Sequence, residues 1–154
     1  MKRTAILLAL GVLFVGVTVC LAESPHMGTW KLNEAKSKFG PGATKNTTVV
    51  YEAAGDDVKV TVDGVDGTGA PTHNEWTGKF DNKFYAVTGD PTSDMRSYRK
   101  ISNHTMALTA KKDGKITLTG RIVVSANGRT RTVTTTVTDS RGKRMSNRAV
   151  YDKQ

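Results

Sequence analysis

The chain has 154 residues, three histidines, one cysteine and a formal net charge of +9. One cysteine excludes an internal disulfide framework. Cys20 lies inside an apolar N-terminal run, so once that run is removed, thiol catalysis and cysteine-bound metal are excluded as well.

The N-terminus reads as a secretory signal peptide over residues 1–22. Lys2 and Arg3 form a positive start, an apolar run follows from Thr4 to Leu21, and Cys20-Leu21-Ala22 places small residues for cleavage after Ala22. A retained membrane anchor and lipidation at Cys20 are the alternatives, the latter disfavoured by Val19 in front of it. The expected localisation is secreted or periplasmic. Residues 23–154 then form one domain, long enough for a full core. Without disulfides, that domain must be held by packing and by its hydrogen-bond ladder.

Charge is uneven along it. Residues 23–95 carry 7 Lys/Arg against 11 Asp/Glu, and residues 96–154 carry 14 against 3. The second half is a basic sector, either a set of solvated turns or a surface for an anionic partner.

Hydrophobicity alternates with a period of two and is broken by turn residues at short intervals. Val58, Val60 and Val62 alternate with Lys59 and Thr61, and Val133 and Val137 sit in a run of threonines. Asp113-Gly114 and Asn127-Gly128 are strong hairpin signals. The pattern predicts ten strands, near 28–32, 47–53, 57–63, 72–80, 84–88, 94–102, 104–111, 115–125, 129–139 and 144–151. The only helix candidate is 33–39, one or two turns stopped by Gly40-Pro41-Gly42. An antiparallel meander with no covering helices must bury one face, and closure removes its unpaired edges. The expectation is an all-β protein, a single antiparallel up-and-down barrel of about 8–10 strands, with room inside for side chains and one small ligand.

Gly28-Thr29-Trp30-Lys31-Leu32, at the first strand of such a meander, resembles the opening of the calycin superfamily, the lipocalins and fatty-acid-binding proteins. The closing 147–153, Asn-Arg-Ala-Val-Tyr-Asp-Lys, looks like the last strand of the fatty-acid-binding branch. The resemblance implies a barrel floor in which Trp30, after Gly28, carries a stacked arginine, Arg148 or alternatively Arg131. The chain departs from that branch in two ways. Arg148-x-x-Tyr151 puts its two side chains on opposite faces, and 33–46 is too short for a helical lid.

Other chemistry reads as bland. His26, His73 and His104 have no ligand spacing and read as surface histidines. The stretch 63–69 lacks the closing glutamate of a calcium loop and reads as a glycine-rich turn. No serine sits in a nucleophile elbow. No catalytic residue, metal or cofactor is therefore expected, and export argues against nucleic acid. The aromatics and arginines are more telling. Trp76, Phe80, Phe84 and Tyr98 are candidates to line a cavity, with Arg131 or Arg148 meeting an acidic group. The leading expectation is a lipocalin-like protein that binds a small hydrophobic or acidic amphipathic ligand. The alternative is a solid barrel acting as an envelope module, whose basic sector binds an anionic envelope surface.

Overall fold

A computed structural model describes residues 23–154; the leader read over 1–22 lies outside the described residues. All ten expected strands form: β1 Gly28–Leu32, β2 Lys45–Ala54, β3 Asp57–Val65, β4 Pro71–Gly78, β5 Tyr85–Thr88, β6 Met95–Lys100, β7 Thr105–Lys112, β8 Lys115–Val124, β9 Thr130–Thr138 and β10 Arg144–Lys153. Each pairs antiparallel with its neighbour in sequence, and β1 pairs with β10, so the sheet closes into an up-and-down barrel. Closure leaves no edge strand exposed for pairing with another chain.

The alternation read from the sequence decides which side chains point inward. Val60 and Val62 on β3, Met106 and Ala110 on β7, Ile122 and Val124 on β8, and Ala149 and Tyr151 on β10 are all buried. Turns are set by equally local chemistry. Asp113 and Gly114 both have positive φ (49° and 77°), as a type I′ turn between β7 and β8 requires.

The helix expected over 33–39 shrinks to a single 3₁₀ turn, Glu34–Lys36, capped by the Asn33 side chain. The backbone explains it. Asn33 N donates to Val150 O at 2.8 Å, and Lys38 and Arg148 exchange both backbone bonds at 2.7 and 2.8 Å. The segment is therefore tied to β10 at both ends, and too few residues remain between the ties for a longer helix.

The strand directions give the barrel two ends. The foot holds the N-terminal segment and the turns leading into β3, β5, β7 and β9. The mouth holds residues 39–44 and the turns leading into β4, β6, β8 and β10. The seam at β5 is the shortest, with two paired positions on β4 and two on β6.

Candidate functional site

Trp30 is fully buried at the foot, and its indole N–H donates to His26 O at 2.9 Å. The cation over its ring is Lys153, with Nζ 5.3 Å from the centroid. Gly28, at φ 101°, lets the chain turn into β1 beneath the Lys153 stem. Arg148 does not stack on Trp30. It follows the outward parity of β10, is exposed, and donates from Nη1 to Lys36 O at 3.0 Å, fastening the 3₁₀ turn to the outside of the barrel. The same parity keeps Arg148 out of any interior ligand site, because successive residues of a strand face opposite sides.

His26 also departs from expectation. It is not a surface group: it is 2% exposed, and neither ring nitrogen has a hydrogen-bond partner among the described residues. Burial first, then the positive charge of Arg131, His104 and Lys100, pulls its pKa down from 6.5 to about 4. His26 is therefore a neutral plug at the foot.

Above the foot lies an aromatic cluster. Trp76 meets Tyr98 edge-on at 4.8 Å between centroids, stacks with Phe80 at 6.4 Å and meets Tyr85 edge-on at 5.7 Å. Trp76 and Phe80 thus form the packed base rather than the cavity wall. Phe84 takes no part in the interior; it is half-buried beneath Lys111, whose Nζ is 3.9 Å from the ring centroid.

Over this base the barrel encloses a cavity of about 1000 Å³ that opens at the mouth. The interior is not solid. Of the residues singled out from sequence, Tyr98 and Arg131 line it. Tyr51 and Tyr151 join them at depth, and Val49, Val62, Leu108, Val133 and Ala149 supply an apolar wall.

Arg131 is the unusual group. It is 3% exposed, and its Nη2 donates to the Tyr51 hydroxyl at 2.6 Å. Its guanidinium carbon lies 4.8 Å from the Tyr51 ring centroid and 5.4 Å from that of Tyr151. Among the described residues Nε and Nη1 have no hydrogen-bond partner, and no carboxylate pairs with the guanidinium. Burial raises the Tyr51 and Tyr151 pKa values against the pull of Arg131, so both stay neutral phenols. The deep end of the cavity therefore carries one uncompensated positive charge. Burying such a charge is costly, and a negative group brought alongside it offsets that cost.

Tyr51 and Arg96, which also lines the cavity, are not among the candidates the sequence offers, although a signal for each is present. Val49 and Tyr51 share one strand face, and so do Arg96 and Tyr98. What the sequence lacked was any sign that these faces meet across the barrel.

No protein-family model matches the chain, and no curated protein matches it. Among solved structures the chain is similar to EF1p2_mFAP2b bound to DFHBI, at 8% identity and a TM-score of 0.48, over 84% of this chain and 94% of that one. The fold described above rests on this chain's own strand pairing.

Proposed function

We propose that the protein is a non-catalytic, lipocalin-like carrier, secreted or periplasmic, that holds a small amphipathic acid inside the barrel. The acid group faces Arg131 and Tyr51, and the apolar body lies along Val49, Val62, Leu108, Val133 and Ala149 toward the mouth. One observation carries the reading: a buried arginine with no carboxylate partner among the described residues, at the closed end of a cavity with an apolar wall. The volume lies at the upper end of the range typical of small-molecule sites.

The test is calorimetric titration of the protein, lacking residues 1–22, with laurate and palmitate and with the alcohols of the same chain length. The expected result is one site and tighter binding of each acid than of its alcohol. In Arg131→Met that preference should vanish. Equal affinity for acid and alcohol in the native protein, or no binding of either, overturns the reading.

A second reading is supported by the outer surface. Arg99, Ala107, Arg121, Thr134 and Arg148 are direct cross-strand partners in sequence, so three exposed arginines lie on one rung across β6 to β10. This rung suits an anionic envelope surface. Vesicles containing anionic lipid should bind the protein at low salt and release it as salt shortens the screening length. Retention that ignores salt would dismiss this reading.

A further inference from the structure

A second buried cation faces the same cavity, and its surroundings differ in charge. Arg96, on β6, is 9% exposed. Its Nη2 donates to Asn74 Oδ1 at 3.1 Å and lies 3.5 Å from Asp90 Oδ2. Among the described residues both polar contacts of the guanidinium fall on Nη2, so Nε and Nη1 keep their N–H groups for another partner. Trp76 Nε1 donates to Arg96 O at 3.0 Å, which fixes the backbone at this level.

Asp90 is built to remain a carboxylate. Its Oδ1 accepts from Thr92 N at 2.8 Å and Thr92 Oγ1 at 2.7 Å, and its Oδ2 accepts from Ser93 Oγ at 2.5 Å. Burial works to raise its pKa, but these bonds and the Arg96 charge outweigh it and hold the carboxyl below the usual range.

The cavity therefore has two buried arginine stations of different net charge. Arg131 stands alone and attracts an anion. Arg96 is neutralised by Asp90, so it presents donors without net charge, and Asp90 repels a second anion there. Their spacing follows from the strands. Tyr98 touches Tyr51, which holds Arg131, and Arg96 lies one pleat nearer the mouth, about 7 Å along β6.

We propose that the cavity selects an amphipathic acid that also carries an uncharged oxygen, a hydroxyl or a carbonyl, on the chain beyond its acid group, with that oxygen accepting a hydrogen bond from Arg96. This rests on the reading of the cavity as the site of an acid and narrows the class of acid.

The test compares dodecanoic acid with its monohydroxy and oxo isomers, the oxygen moved stepwise along the chain, and with the branched dioic acid whose second carboxylate stands at the carbon that carries the oxygen in the best-binding isomer. In the native protein, one or two adjacent isomers should bind about tenfold or more tighter than the plain acid, the gain expected of a hydrogen bond from a charged donor. The dioic acid should gain nothing. In Arg96→Met the ratio of oxygenated to plain acid should fall to about one. Asp90→Asn is nearly isosteric and keeps the loop's acceptor oxygen, so it guards against a folding artefact. It leaves Arg96 uncompensated, and the dioic acid should then become the preferred ligand, again by about tenfold or more. Isomers that bind like the plain acid, with a dioic acid indifferent to Asp90→Asn, would refute the Arg96 station and leave the carrier reading standing. Failure of every acid to bind would refute both.

Discussion

Replacing Trp30 by alanine tests whether the foot of the barrel is held as described. Trp30 is fully buried. A tryptophan side chain buries roughly 150–250 Å², which at about 25 cal/mol per Å² corresponds to roughly 4–6 kcal/mol. Measured losses for such truncations run at about 3–5 kcal/mol. The bond from Nε1 to His26 O adds about 1 kcal/mol, and the Lys153 cation over the ring about 0.5–1 kcal/mol. A loss near 4 kcal/mol is then expected, out of a total stability on the order of 5–15 kcal/mol. Trp30→Phe separates ring from hydrogen bond: it keeps an aromatic plug and should lose only about 1–2 kcal/mol. The assay is urea unfolding followed by circular dichroism, with Trp76 as a remaining fluorescent probe. At a slope of about 2 kcal/mol per molar, Trp30→Ala should lower the midpoint by roughly 2 M. If it unfolds within about 1 kcal/mol of the native protein, Trp30 is not what closes the foot. If Trp30→Phe is as damaging as Trp30→Ala, the hydrogen bond and not the ring holds it.

Arg131→Met, without ligand, should melt at or above the native temperature. The lost bond to Tyr51 costs about 1.5–3 kcal/mol, but the burial of an unpaired guanidinium, a penalty of several kcal/mol, is removed as well; a clear fall in Tm would show that the charge is compensated. Acid should destabilise the foot through His26, whose pKa in the folded protein is lowered from 6.5 to about 4. The unfolded chain then takes up the proton first, so this contribution is intact above about pH 6.5, falls between about 6.5 and 4, and amounts to about 3 kcal/mol; His26→Leu should flatten that part of the pH profile of urea stability, and an unchanged profile would remove His26 as its cause. Gly78→Ala should destabilise by roughly 1–3 kcal/mol, because an added Cβ would run into the Tyr85 and Trp76 rings, and a neutral result in thermal melts would mean that the aromatic base can repack. Arg148→Ala should change stability by less than about 1 kcal/mol and leave ligand affinity unchanged, since its guanidinium reaches only the exposed Lys36 carbonyl; a loss of affinity would place it in the site after all.

Much of this architecture is local in origin and so was legible in the sequence. The period of two in Val58, Val60 and Val62, and the turns at Asp113-Gly114 and Asn127-Gly128, decide strand, face and hairpin within a few residues of chain. A run of such hairpins leaves closure as the way to satisfy the last edges, which is how the barrel itself could be read. The parity of β10 already separated Arg148 from Tyr151. Tertiary structure alone decided the rest, because it depends on which inward faces meet. The bond between Arg131 and Tyr51 joins residues 80 positions apart. Arg96 finds Asn74 22 positions away, and His26 is sealed beneath the foot by contacts no neighbouring residue announces. Phe84 and Phe80 look alike in sequence, yet one faces a lysine and the other the aromatic base. Alternation fixes the side of the sheet on which a side chain lies. Only the closing of the barrel fixes what stands opposite it, and there one arginine gains a carboxylate while the other is left without one.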